Sequence, residues 1–123
     1  MSFFRTISVK DDIEEFVLAE TQKLAINIDR EVVRETPVDT GRAKGNWLAS
    51  VGVPDTRQLN VTGSTEGAAI QQAVAVIGKA IVYQLVYIQN NLPYIQRLNN
   101  GWSLQQPNPL YVDNVILRNV NKR

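Results

Sequence analysis

The sequence predicts one small α+β domain with a long N-terminal helix, a sheet of two or three strands, a second helix and a C-terminal helix. Three observations support this class. Apolar residues recur at helical spacing over residues 8–35, residues 47–53 alternate as in a strand while residues 81–89 are rich in Val, Ile and Tyr, and 123 residues suit a single domain. So small a sheet needs covering helices, and its edges are open to completion by neighbouring chains.

The first helix is expected over residues 8–35. Acidic residues crowd its first turns, where the helix dipole favours negative charge, and Thr36 ends it because the residue before Pro37 avoids the helical region. Its apolar stripe comprises Ile13, Phe16, Val17, Leu24 and Ile28, widened by Leu18, Ala25 and Val32. At about 1.5 Å per residue this helix is roughly 40 Å long, so we expect part of it to project beyond the core.

The central part of the chain is predicted to contain one strand and one helix. Residues 36–65 comprise a turn-rich corner, a strand from Trp47 to Val53 and a polar, mobile loop. A second helix follows over residues 66–80, with Gln71 and Gln72 facing outward. Its buried face is expected to comprise Ile70, Ala73, Val74 and Ile77.

The remaining elements are a strand, a helical turn and a helix. Residues 81–89 predict a mostly buried strand. Residues 94–98 predict one helical turn that Gly101 ends in the left-handed conformation. A last helix is expected over residues 108–120, with Asn108 as its cap and Pro109 at its first position. Its inner side would comprise Leu110, Val112, Val115, Ile116 and Val120.

The residue inventory argues against an enzyme. The chain has no histidine and no cysteine, so Ser-His-Asp and Cys-His arrangements and the usual zinc sites cannot be built. A carboxylate-only metal site or a two-carboxylate hydrolase remains compatible with the composition. We predict no catalytic residue, no metal and no cofactor. A net charge of +1 and the lack of a long apolar run also argue against a membrane partner, so we expect a soluble protein.

Charge is distributed unevenly along the chain. Residues 10–35 carry eight acids and four bases, whereas residues 37–123 carry four acids and eight bases. We interpret the acids as a solvated helix surface. Glu20 and Glu31 fall near the apolar stripe, so they either lie at its edge or meet a basic partner on another subunit. Opposed charges allow head-to-tail packing into a ring or filament, and the candidate contact joins these acids to Arg42 and Lys44 of the next subunit.

The loop PVDTGRAKGNW is the most specific local feature. Pro37 fixes the exit from the first helix, Asp39 and Thr40 can bond to nearby amides, and Gly41 permits a positive φ. A structural helix-to-strand corner accounts for these residues. It does not explain why Arg42 and Trp47 both follow.

Two separated segments, TPVDTGRAKGNW and YIQNNLPYIQRLNNGWSLQQPNPLYVDNVI, resemble the tail-component family of tailed bacteriophages. These are small neck or tail-completion proteins of the head–tail joining region. The matching corner comprises Pro37, Val38, Asp39, Thr40, Gly41, Arg42, Asn46 and Trp47; the second motif comprises Asn90, Asn91, Pro93, Tyr94, Leu98, Gly101 and Trp102. The chain departs from the family at Gln106 to Leu110, where many relatives look like Gln-Ala-Pro-Ala-Gly.

The resemblance implies a virion structural protein, made in the bacterial cytoplasm, that assembles as a ring and joins tail to head around the DNA channel. Its implied partners are further copies of itself, the connector or adaptor, and tail-tube or tail-terminator proteins. Non-specific contact with passing DNA is compatible with this role. One alternative is a tail-terminator or minor tail subunit. Another is a small DNA-binding module, which the scattered basic residues and near-zero net charge disfavour.

Overall fold

The computed structural model describes residues 2–37, 42–61, 65–101 and 110–121, with side chains from residue 9 onward. Its elements are α1 (Ser2–Glu35), α2 (Arg42–Gly45), β1 (Trp47–Val51), α3 (Glu66–Ile77), β2 (Val86–Asn90), α4 (Ile95–Asn99) and α5 (Tyr111–Asn121). The predicted α+β class, with a long N-terminal helix and a small sheet, is confirmed.

The sheet is a single antiparallel pair of β1 and β2, whose register runs from Trp47 opposite Asn90 to Val51 opposite Val86. On the free edge of β1, the backbone N–H and carbonyl of Ala49 form hydrogen bonds with a side chain of α3. The Ala49 N–H donates to Gln72 Oε1 at 3.0 Å, and Gln72 Nε2 donates to the Ala49 carbonyl at 2.9 Å. The prediction that Gln72 faces outward is therefore wrong, because its amide replaces the missing strand.

The core lies where α1, α3 and β1 meet. One buried cluster comprises Val32, Val33, Trp47, Ala69 and Val115, and a second comprises Ala25, Ala49, Ala73 and Ile77. Small side chains at the α1–α3 contact allow the two helices to approach closely. Helix α5 runs antiparallel to the last turns of α1, because Tyr111 contacts Thr36 while Arg118 reaches Glu31.

Helix α1 is longer than predicted and projects beyond the core, as expected. Its 34 residues extend over about 51 Å. Within residues 9–37 the first buried side chain is Ala25. Ile13 and Phe16, which we expected to face the core, are 55% and 66% exposed. The stripe prediction fails here because no other described element lies close enough to cover this half of the helix on that side.

Strand β2 is shorter than predicted and begins at Val86 instead of residue 81. The preceding residues form a turn in which Tyr83 has a φ of +68°, and Ile81, Tyr83 and Leu85 are all exposed. The predicted burial of this segment is wrong. Its β-branched and aromatic composition is typical of a strand, but no element in the described part of the chain covers it.

Two helices also differ from the prediction in their bounds and buried faces. Helix α3 ends at Ile77, and its buried face includes Ala69 while Val74 is exposed. Helix α5 begins at Tyr111, after a residue of positive φ (Leu110), and buries Tyr111, Val115 and Asn119. Three residues assigned to its inner side are instead exposed: Leu110, Ile116 and Val120. The predicted cap, Asn108-Pro109, lies outside the described residues.

Candidate functional site

The two sequence motifs meet in one hydrogen-bonded cluster, which we call the corner cluster. It comprises Thr36, Ala43, Asn46, Trp47, Asn90, Asn91 and Tyr111. Asn90 Nδ2 donates to the Ala43 carbonyl at 2.8 Å, and Asn90 Oδ1 accepts the Leu92 N–H at 3.2 Å. Ala43 also packs with Leu92, Leu98 and Tyr111 in a third buried cluster. The second motif therefore anchors the first.

Trp47 has a structural role that the sequence alone did not reveal. Its indole N–H donates to Thr36 Oγ1 at 2.8 Å, and the Thr36 hydroxyl donates to the Val32 carbonyl at 2.7 Å. Tyr111 Oη lies 3.2 Å from the same threonine oxygen, and burial raises the pKa of the Tyr111 hydroxyl. The end of α1 thus supplies a polar partner for two buried aromatic side chains.

Asn46 and Asn91 hold the segment after β1 in place. Asn46 Nδ2 donates to the carbonyls of Arg42 and Leu59, both at 2.8 Å, and Asn46 Oδ1 accepts the Leu59 N–H. Asn91 Nδ2 donates to the carbonyls of Asp55 and Arg57, at 2.8 and 2.9 Å. Over residues 55–59 the predicted mobile loop is therefore an irregular but hydrogen-bonded segment.

Gly45 is required by a close approach in this corner. A Cβ atom at that position would lie 2.6 Å from Val61 Cγ2 and 2.8 Å from Thr65 Cβ, and real Cβ atoms do not come so near. The sequence places Gly45 in the turn-rich corner but gives no sign of this close approach.

Two of the four predicted subunit-contact residues are engaged within their own chain. Lys44 is buried, and its Nζ donates to the carbonyls of Val33 and Arg34 at 2.8 Å each, so it caps the end of α1. Burial lowers the pKa of the Lys44 ammonium, while the Glu66 carboxylate, 3.5 Å away, acts in the opposite direction. The prediction that Lys44 presents a basic loop to another subunit is wrong.

Glu31 likewise has its basic partner in its own chain. Arg118 Nη2 donates to Glu31 Oε1 at 2.6 Å, and Asn119 Nδ2 donates to Glu31 Oε2 at 2.8 Å. Arg118 also binds Glu35, and both carboxylates raise the pKa of its guanidinium. These contacts attach α5 to α1. The other two candidates for the subunit contact, Glu20 and Arg42, are half-buried.

The remaining motif residues either shape turns or lie outside the described residues. Pro37 is buried at the end of α1, while Pro93 and Tyr94 form the turn before α4. Gly101 has a φ of +89°, so its predicted left-handed conformation is confirmed. Residues outside the described part of the chain are Val38, Asp39, Thr40, Gly41 and Trp102.

Asp29 is a buried carboxylate that the sequence analysis misplaced. Its side chain is fully buried, and neither carboxylate oxygen meets a hydrogen-bond donor among the described residues. Burial raises the pKa of Asp29 from 3.8 to about 7. The interpretation of Asp29 as part of a solvated helix surface is therefore wrong. Its position four residues from both Ala25 and Val33 was the missed signal, because that spacing places it on the buried face.

Beyond the core, α1 carries an apolar stripe that faces away from the fold. This outer stripe comprises Val9, Ile13 and Phe16, at successive spacings of four and three residues. Phe16 precedes core-facing Ala25 by nine residues, or about two and a half helical turns, so the two side chains point to opposite sides of α1. The outer stripe therefore cannot reach its own core.

An exposed aromatic side chain lies beside the outer stripe. Tyr83, which is 74% exposed and has a positive φ, lines an open groove together with Val9, Lys10, Ile13 and Glu14. A bulky residue in the left-handed region is uncommon and indicates local backbone strain. The turn after α3 thus presents an aromatic ring next to the apolar side of α1.

No family model, curated protein or solved structure matches this chain. Its function is therefore inferred from its own surfaces. Within the described ranges, no group of three or more Asp or Glu side chains is placed to hold a metal ion. The helices of that same part of the chain include none with the length and apolar character needed to cross a bilayer.

Proposed function

We propose that this chain is a virion structural protein of the phage head–tail interface, a neck or tail-completion subunit that assembles as a ring around the DNA channel. The outer stripe of α1 is the observation that carries the proposal. It places three large apolar side chains on the side of the helix opposite the core, where they remain exposed among the residues that the structure describes. The two phage-like motifs add support, because their residues meet in one cluster.

The placement of the reactive side chains favours a binding role over a catalytic one. Asp29 is sealed in the core, Lys44 caps α1, and Glu31 joins α1 to α5. Lys44 and Glu31 stabilise the fold, whereas Asp29 destabilises it when ionised. None of the three faces a groove in which a substrate could sit. The apolar groove beside Tyr83 instead suits a protein surface.

The shape of α1 supports assembly into a closed or extended array. The helix is long and carries the outer stripe at the end remote from the core, so it can reach a neighbouring subunit without disturbing the fold. Residues 10–20 add five acids and one base to this end. A contact between such an end and a different surface of the next subunit is heterologous, and contacts of that kind generate rings when the rotation closes.

The proposal is tested by complementing a phage that lacks the gene. We expect the deletion to give unjoined heads and tails, and the wild-type gene to restore infectious particles. A Phe16→Asp variant should fail to restore them, because it places a charge in the outer stripe. The matched control is Val53→Asp, since Val53 is also an exposed apolar residue, at 70%, but lies after β1. Normal virions without the gene would refute the proposal.

A further inference from the structure

Helix α5 carries a second apolar surface that stays exposed among the described residues. We call it the α5 patch, and it comprises Ile116, Leu117 and Val120, whose exposed fractions lie between 42% and 58%. Val120 follows the buried Tyr111 by nine residues, or about two and a half helical turns, so it lies on the side of α5 that faces away from the core. The α5 patch and the outer stripe are therefore two separate unpartnered helix surfaces.

The α5 patch cannot cover the outer stripe of its own chain. Arg118, within the same turn as the patch, binds Glu31. Glu31 lies fifteen residues beyond Phe16, or about 22 Å along α1. The exposed turn at residues 81–85 is no candidate either, because its Tyr83 already lines a groove with Val9 and Ile13 and so extends the stripe's own surface.

The two apolar surfaces have neighbours of opposite charge. Residues 11–15, within the outer stripe, contain four acids and no base. Helix α5 has one acid, Asp113, in its first turn, and Lys122 and Arg123 follow its last residue directly in the sequence. Because consecutive Cα atoms are about 3.8 Å apart, covalent geometry keeps these two bases within roughly 8 Å of the end of α5.

We infer that the outer stripe of α1 binds the α5 patch of a second copy, with the two helices antiparallel. This direction places the bases after α5 beside the acids of residues 11–15, and it places Asp113 toward the exposed Lys23. A parallel pair would instead bring Asp113 to those acids. The inference rests on the proposed function for the array that repeated contacts build, since it names the contact between neighbouring subunits.

Helical spacing specifies the register of this contact. If Val120 lies opposite Phe16, then Asp113 lies opposite Lys23, because the members of each helix's pair are seven residues apart. In the same register residues 122 and 123 lie opposite residues 14 and 13. Asp12 and Glu15, which are both exposed, are their immediate neighbours on α1.

The contact is heterologous, because it joins two different surfaces. Within one chain α5 runs antiparallel to the last turns of α1. An α5 that is also antiparallel to the α1 of the next copy therefore gives both copies the same direction. Copies that point the same way can repeat around a ring or along a filament, each using its outer stripe on one side and its α5 patch on the other.

Cysteine pairs test the contact, because the chain has no cysteine of its own. Purified Phe16→Cys and Val120→Cys chains, mixed at high concentration under mild oxidation, should form a disulfide-linked dimer that neither variant forms alone. The matched control is Phe16→Cys mixed with Val53→Cys, which should stay unlinked because Val53 is also exposed but lies outside the α5 patch. Linkage of Phe16→Cys with itself, or no linkage in the first mixture, would overturn the inference.

A charge exchange tests the direction of the helices and leaves both apolar surfaces unaltered. Adding Lys23→Glu to the Phe16→Cys chain should lower the initial rate of linkage by roughly threefold to fivefold, because Asp113 of the next copy then meets a like charge. Adding Asp113→Lys to the Val120→Cys chain should restore the rate. A rate that Lys23→Glu leaves unchanged, or that the exchange does not restore, would contradict the antiparallel contact.

These measurements use the purified chain and are separate from phage complementation. If linkage fails while the gene still restores infectious particles, the contact between α1 and α5 is wrong and the proposed function stands. If linkage succeeds while normal virions form without the gene, the contact stands and the head–tail proposal is refuted.

Discussion

Asp29 makes the stability of this protein depend on pH in an unusual direction. Burial raises the pKa of Asp29 from 3.8 to about 7 in the folded chain. The unfolded chain therefore loses this proton at a lower pH than the folded chain does. The contribution of Asp29 to the free energy of unfolding is complete below about pH 4, declines as pH rises, and is lost above about pH 7. The difference between the two pKa values corresponds to about 4 kcal/mol.

An Asp29→Asn substitution isolates this effect. Asparagine has nearly the same shape as a protonated aspartate and, like it, lacks hydrogen-bond partners at this position. At about pH 3.5 the variant and the wild type should thus have similar free energies of unfolding, whereas the variant should be more stable by roughly 1.5 kcal/mol at about pH 5 and by roughly 4 kcal/mol at about pH 8. Urea denaturation across this range measures the difference. Asp29→Leu should show the same pH dependence from a higher baseline, because no polar group remains buried.

Asp12→Asn is the matched control, since Asp12 is an exposed carboxylate of the same helix. Its difference from the wild type should be small at every pH. Subtracting the control removes the titration of the other acids, which both proteins share. A constant difference between Asp29→Asn and the wild type over the whole range would refute the reasoning. It would mean that the Asp29 carboxylate is hydrated or paired in solution.

Three further substitutions test contacts within the fold, the first two by urea denaturation and the third by light scattering. Thr36→Val should lower the free energy of unfolding by about 1–3 kcal/mol, because the buried indole N–H of Trp47 loses its acceptor. Thr36→Ser keeps the hydroxyl and should retain most of the stability. Equal losses in the two variants would contradict the role of the hydroxyl. Lys44→Met should destabilise by a similar amount, about 1–3 kcal/mol, because two carbonyls at the end of α1 lose their donor, whereas Lys23→Met at an exposed position should change little. Gln72→Leu should expose the edge of β1 and increase aggregation, measured by light scattering, while Gln71→Leu adds the same apolar area on the outer face of α3 without that effect.

Periodicity was sufficient for the fold class and for the position of α1, because both depend on local patterns. It was insufficient for deciding which apolar residues are buried. Phe16 and Val32 belong to stripes of the same spacing, yet only Val32 meets the other elements. The prediction for residues 81–85 failed for a similar reason. Their composition favours a β-strand, but burial depends on whether another element lies nearby.

The charged residues were harder to place than the apolar ones. Asp29 had a detectable signal, since its helical spacing from Ala25 and Val33 places it on the buried face. Lys44 had none, because its contact with the end of α1 depends on how the chain turns after Pro37. The Glu31–Arg118 pair joins residues that are 87 positions apart. Such a pair cannot be distinguished from an intersubunit contact until the relative position of α1 and α5 is known.

The two sequence motifs and the outer stripe have separate roles, and this separation makes the proposals testable. The described motif residues that form the corner cluster hold α1, β1, β2 and α5 together, so their replacement is expected to unfold the chain. Phe16 and Val9 contact no buried cluster and lie on the opposite side of α1, so their replacement should leave the fold intact. A variant of the outer stripe that keeps the wild-type free energy of unfolding but loses self-association therefore reports on binding alone. Exposed apolar side chains also increase the risk of aggregation, which is a physical reason to expect that a second copy or a partner covers this stripe.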